Sequence, residues 1–173
     1  MSEIRNKVEE SGLIQLDLGQ FKPQVQLVGL DIAEQLWQGL VIKEKDFRAW
    51  IKGNDWSIYQ GKAVYIFCSL DAIVPTWAYM LVAASLNELA THVTIGDLVD
   101  LEKEMVHQSI SRLDLEELKG GRIIVKGCSD MLDPAFAMVC LLNKLQPVVQ
   151  SIMYGEPCST VPIFKRSKDK NEN

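Results

Sequence analysis

Four short runs rich in β-branched and apolar residues recur through the chain: AVYIFC (63–68), HVTIG (92–96), RIIVKG (122–127) and QSIMYG (150–155). Their starts lie roughly 30 residues apart, the length of one strand–helix–loop unit. Helical patterns fill the gaps. PTWAYMLVAASLNELA is apolar nearly all round and opens on Pro75, which suits a first-turn position. LVDLEKEMVHQSISRL puts Leu98, Leu101, Met105 and Val106 on one face. DPAFAMVCLLNKLQ offers Asp133 as an N-cap and Pro134 in the first turn. Strands alternating with helices cannot pair with their neighbours through tight hairpins. The expected fold is therefore α/β, a single domain with a mainly parallel β-sheet flanked by helices.

The N-terminal third is less regular. LIQLDL (13–18) alternates like a strand, VQLVGLDI (25–32) reads as another, and KEKDFRAWIKGN (43–54) reads as a short helix. Phe47, Trp50 and Ile51 form its apolar face, and Gly53 is its expected stop. No low-complexity linker or internal boundary is visible. The period of the runs reads as secondary structure, not as a sequence repeat. The expected organisation is one α/β domain over 1–165 and a charged, disordered tail over 166–173.

Composition narrows the partners. Net charge is −5 and the only basic cluster is the terminal KRSKDKNEN, so nucleic acid is not expected, since neutralising phosphates needs clustered Lys and Arg. The most apolar stretch, AIVPTWAYMLVAASL, contains Pro75 and is short for a membrane span. MSEIRNKVEE is charged where a secretory signal is apolar, so a cytoplasmic location is expected. Thiols there stay reduced, and the four cysteines read as ligands, nucleophiles or packing.

Three of those four are followed by serine: Cys68-Ser69, Cys128-Ser129 and Cys158-Ser159. Each stands at or just past the end of an expected strand. In a parallel sheet every strand ends at the same edge, where open α/β proteins build their sites. A single sheet would bring the three sulfurs together. Three thiolates without histidine suit a soft metal, so Cys68, Cys128 and Cys158 are candidate ligands for zinc or an iron–sulfur cluster. Asp71, Asp97, Asp130 and Glu156 are candidates for a fourth ligand, and Trp77 could wall the site. The bland alternative is that Cys68 and Cys128 pack at strand ends and that the serines only shape turns. Cys140, inside an apolar helix, reads as core. His92, at the start of a strand, and His107, in mid-helix, read as structural or exposed. Trp37, Trp50, Trp56 and Trp77 sit on apolar patterns and read as core.

Neither nucleotide-binding glycine loop, no GxSxG and no CxxC is present. A nucleophilic cysteine remains open. Cys68 is the candidate, ahead of a buried helix whose N-terminus would lower a thiol pKa, although no histidine stands near to activate it.

LVIKEKDFRAWIK, KAVYIFCSLDAIVPTWAYML, VKGCS and SIMYGEPCSTVP resemble a bacterial family known as domain of unknown function 2480. The resemblance runs from the first residues to about Lys165. It implies no mechanism. It implies genes neighbouring those of iron–sulfur assembly, and hence a protein partner in metal–sulfur chemistry. The leading expectation is a cytoplasmic metal- or iron–sulfur-binding protein accessory to cluster assembly. The alternatives are a cysteine-nucleophile enzyme and a non-catalytic partner-binding module.

Overall fold

A computed structural model describes residues 12–127 and 130–167. Seven strands and four α-helices follow each other along the described residues: β1 (Leu13–Asp17), β2 (Leu27–Asp31), α1 (Glu44–Gly53), β3 (Ala63–Phe67), α2 (Thr76–Leu86), β4 (His92–Ile95), α3 (Leu98–Ser111), β5 (Arg122–Lys126), α4 (Pro134–Leu145), β6 (Ser151–Glu156) and β7 (Ser159–Lys165). The α/β class and the dominance of parallel pairing are as expected from the alternation. All four apolar runs are strands. Asp133 caps α4, its carboxylate accepting from the Phe136 N–H at 2.9 Å, with Pro134 in the first turn. Pro75 stands one position earlier than expected, as the N-cap of α2.

The strands divide between two sheets, one ordered β1-β5-β6-β7 and the other β2-β3-β4. Every pairing is parallel except β6 with β7. The chain likewise forms two compact units. An outer unit comprises Met1–Lys22 and Val106–Asn173, and an inserted unit comprises Pro23–Met105. In the inserted unit, Val64 and Ile66 of β3 pack with Ala78, Val82 and Leu86 of α2 and with Phe47 of α1. In the outer unit, Ile123 and Val125 of β5 pack with Ala137, Leu141 and Leu145 of α4 and with Val106 and Ile110 of α3. Each large side chain in these clusters, fully removed from water, contributes about 1.5–3 kcal/mol.

The two cores are built to one plan. Residues 44–97 and 103–156 correspond at a constant separation of 59 positions, with no gap. Ala78, Val82 and Leu86 face inward on α2, as Ala137, Leu141 and Leu145 do on α4. The Gly61 N–H donates to the Leu89 carbonyl at 2.9 Å and the Gly120 N–H to the Val148 carbonyl at 2.8 Å. The Thr91 N–H donates to Lys62 and the Gln150 N–H to Gly121, each at 2.8 Å. Gly61 and Gly120 have φ of 73° and 68°, the left-handed region that glycine enters without strain. Asp55 and Asp114 each accept from the N–H two residues on, at 3.0 Å. The first strands correspond as well, at a different separation. Asp17 ends β1 and accepts from Gly19, as Asp31 ends β2 and accepts from Ala33. The molecule is thus two copies of one β-α-β-α-β unit, the second set inside the first between its first strand and the rest. The correspondence spans two of the roughly 30-residue strand–helix periods read from the sequence. Few identities mark the correspondence, because burial and turn geometry preserve it without preserving side chains.

Candidate functional site

Cys68 follows β3, the central strand of the three-stranded sheet, whereas Cys158 belongs to the four-stranded sheet. The four runs end at the edges of two sheets. Cys128 and Ser129 lie outside the described residues. Among the described residues, no group of three or more His, Cys, Asp or Glu side chains is arranged to hold a metal ion.

At the end of the three-stranded sheet, β3 and β4 pair with Ala63 opposite His92 and Ile66 opposite Ile95. The Gly96 N–H extends this ladder to the Ile66 carbonyl at 3.1 Å. Cys68 and Asp97 therefore leave neighbouring strands at the same edge, as expected for them. Their chemistry is engaged locally. The Cys68 sulfur is 3.4 Å from the Leu70 carbonyl, which accepts from the neutral thiol. The side chain is half-buried against the α1–α2 core. Burial pushes the Tyr79 hydroxyl above its usual pKa, and the charge of a Cys68 thiolate would raise it further. Asp97 is the N-cap of α3: its Oδ1 accepts from Val99 at 2.8 Å and Asp100 at 3.0 Å, while Asp100 Oδ2 accepts from the Asp97 N–H at 3.0 Å. This reciprocal pair is a capping box with aspartate in both places. Asp71 is exposed. Trp77 stacks edge-on against Phe47 at 5.7 Å, and Trp50 and Trp56 join the same aromatic cluster. Trp37 departs from its core reading. It is 46% exposed, with the Lys43 ammonium 3.9 Å over its ring.

Sequence reasoning missed Asp31. This carboxylate accepts from the Ser69 N–H at 3.0 Å and from the Ala33 N–H at 2.9 Å. Its slight burial raises the pKa, but hydrogen bonds from the Ser69 hydroxyl and from both backbone N–H groups outweigh that and hold it below the usual value. The serine of Cys68-Ser69 is thus the anchor of a turn. The signal was present in Leu30-Asp31-Ile32 matching Leu16-Asp17-Leu18, since each Leu-Asp pair closes a strand and each following residue is fully buried.

At the corresponding edge of the four-stranded sheet, Lys126 and Glu156 form an ion pair at 2.9 Å. The hydrogen bond and charge of Glu156 raise the Lys126 pKa. The Asp130 backbone carbonyl accepts from Lys22 at 2.8 Å. Cys158 is exposed in the two-residue turn between β6 and β7. The strand β7 was not expected from the sequence, because Pro162 argues against a strand except at an edge, which is where β7 lies. Between α4, β6 and β7 lies an apolar groove of about 250 Å³, lined by Val139, Leu142, Met153, Tyr154 and Ile163 among others. Cys140 lies on the same helix, packed against the core, and burial pushes its thiol pKa up. No helix among the described residues is long and apolar enough to cross a membrane.

A family model described as "Protein of unknown function (DUF2480)" matches residues 2–166. No curated protein and no solved structure matches the chain.

Proposed function

Since the chain belongs to the DUF2480 family, whose description assigns no activity, we propose from its residues alone that the protein is a non-catalytic partner-binding module. The observation that carries this reading is the groove of the outer unit. Val139, Tyr154 and Ile163 line it and remain 56%, 44% and 50% exposed. Grouped apolar surface of this kind marks interaction sites on soluble proteins. The nucleophile reading has less support. The Cys68 hydrogen bond goes to the Leu70 carbonyl, which is no catalytic base, and Asp97 is engaged in a helix cap. The test is affinity capture with wild-type protein and Ile163→Asp as baits. A protein held by the wild type and lost with the variant, while the variant keeps its melting temperature, supports the reading. Identical capture by both baits removes it.

A second reading retains the metal. Cys128 follows β5 and Cys158 follows β6, and these strands are neighbours in one sheet. Zinc or an iron–sulfur cluster would take these two thiolates with a carboxylate such as Asp130 or Glu156. A role beside iron–sulfur assembly would follow. Metal analysis and an absorption spectrum of anaerobically purified protein decide it. Less than about one-tenth of an equivalent of zinc and iron, in wild type and Cys128→Ser alike, ends this reading.

A further inference from the structure

The correspondence between the two units identifies a position that is filled in one and open in the other. In the outer unit, β6 carries β7 along its outer edge in antiparallel register, with Tyr154 opposite Val161, Ile152 opposite Phe164 and Ser151 opposite Lys165. The counterpart of β6 in the inserted unit is β4, with Ile95, Val93 and His92 at the places of Tyr154, Ile152 and Ser151. Among the described residues β4 pairs only with β3 and is the last strand of its sheet. The chain diverges here. Gly155 leads from β6 into the hairpin, whereas Gly96 leads from β4 into α3, so the inserted unit has no β7 of its own.

The open edge has the features of a strand acceptor. The Gly96 N–H points to β3, so by the alternation of backbone direction the N–H groups of Ile95 and Val93 point away from it. Ile95 is 56% exposed. Beside it a groove of about 410 Å³ is lined by Ile66, Ala83, Val93, Thr94, Ile95 and Glu104. Its position matches the outer-unit groove, where Leu142 stands at the place of Ala83. The smaller side chain leaves room for a large apolar group. Glu104 lies at the far end, its carboxylate 2.9 Å from His92 Nε2.

We propose that the β4 edge binds an extended segment of another protein by antiparallel strand addition, as β7 adds to β6. The register carried over from β7 defines the segment. It places an apolar residue opposite Ile95, an aromatic or large aliphatic residue opposite Val93 above Ala83, and a lysine or arginine opposite His92, beside Glu104. Main-chain hydrogen bonds would supply affinity and the alternate side chains specificity. This inference rests on the partner-binding reading but uses a different surface.

The probe is a peptide of the chain's own β7 sequence, STVPIFKR, titrated into the full-length isotope-labelled protein. The expected result is saturable binding that shifts the amide signals of His92–Ile95 and of Ala83, weakens at least twofold in Glu104→Gln, and weakens about tenfold in Ile95→Pro. That variant removes an outward N–H, and one hydrogen bond left unmade accounts for the factor. Proline is tolerated on an edge strand where its nitrogen faces solvent, so the variant should remain folded by circular dichroism. If it does not, Ile95→Lys replaces it with the same expectation. No binding at millimolar peptide, shifts confined to β6 and β7, or equal affinity for wild type and the Ile95 variant overturns the proposal. Shifts confined to β6 and β7 would leave the outer-unit groove standing as a partner site.

Discussion

Asp31 Oδ1 lies 3.0 Å from the backbone nitrogen of Ser69 and accepts its proton, tying the end of β2 to the turn that leaves β3. The same oxygen accepts from Ala33. One carboxylate thus fixes two departing backbones at the edge where Cys68 stands, and this fixes what each neighbouring substitution should do.

Asp31→Ala should destabilise the protein by about 1 kcal/mol, the net loss of hydrogen bonds at an exposed carboxylate. The pH dependence has a definite sign. The folded-state pKa of Asp31 is lowered, so the folded protein binds its proton less readily than the unfolded chain. Its contribution is present above the unfolded carboxylate range near about 4 and is lost as pH falls through the lower, folded value. Urea melts of wild type and Asp31→Asn should differ most at pH 7 and draw together as pH falls through the acid range. Parallel curves across that range would show that the carboxylate charge contributes nothing.

The capping box at α3 gives a second test. Asp97→Ala removes the acceptor for two backbone N–H groups, and Asp100→Ala removes the reciprocal one. Each should cost about 0.5–2 kcal/mol, and the double variant should cost less than their sum, because the pair acts as one motif. If Asp97 were a metal ligand instead, its substitution would lower metal content without this coupling to Asp100. Denaturant midpoints of the two single variants and the double variant distinguish the cases.

How much of this was legible in the sequence follows from which interactions are local. The Asp133 cap of α4 and the strand runs were readable because caps and apolar alternation involve residues a few positions apart. The division into two sheets was not, since strands paired in parallel are joined by long connections whose sequences do not name their partner. Leu16 and Asp17 of β1 pair with Val125 and Lys126 of β5, with the whole inserted unit between them in the chain. The three-cysteine reading depends on those pairings: Cys68 follows β3 of one sheet and Cys158 stands in the β6–β7 turn of the other, while Cys128 lies outside the described residues. The repeat escaped notice because its conserved elements are the φ of Gly61 and Gly120 and the inward faces of α2 and α4, which preserve few identities.

The repeat makes a quantitative prediction about packing. Leu141 and Val82 occupy matching positions, 1% and 0% exposed. Leu141→Ala should destabilise by about 2–5 kcal/mol, and Val82→Ala by less because fewer carbon atoms are removed. Gly120→Ala and Gly61→Ala should each be destabilising, as each needs a positive φ, although no neighbouring atom would obstruct the added methyl. Thermal melts of the four variants check both halves. A neutral Gly120→Ala beside a costly Gly61→Ala would break the correspondence.

The three thiols among the described residues should react in an order set by their surroundings. Cys158 stands exposed in the β6–β7 turn and should alkylate first. Cys68 is half-buried and hydrogen-bonded to Leu70, so it should follow. Cys140 should be slowest. Burial raises its pKa and lowers the thiolate fraction that reacts, so its rate should keep rising with pH beyond the ordinary thiol range. Iodoacetamide labelling of native, metal-free protein at pH 7.5 and pH 9, read by peptide mass spectrometry, gives all three rates. A Cys68 rate above that of Cys158 at pH 7.5 would mean an activated thiolate and would restore the nucleophile reading. A slow Cys158 rate in protein purified without chelator, accelerated when a chelator is added, would instead favour metal ligation at the β6–β7 turn.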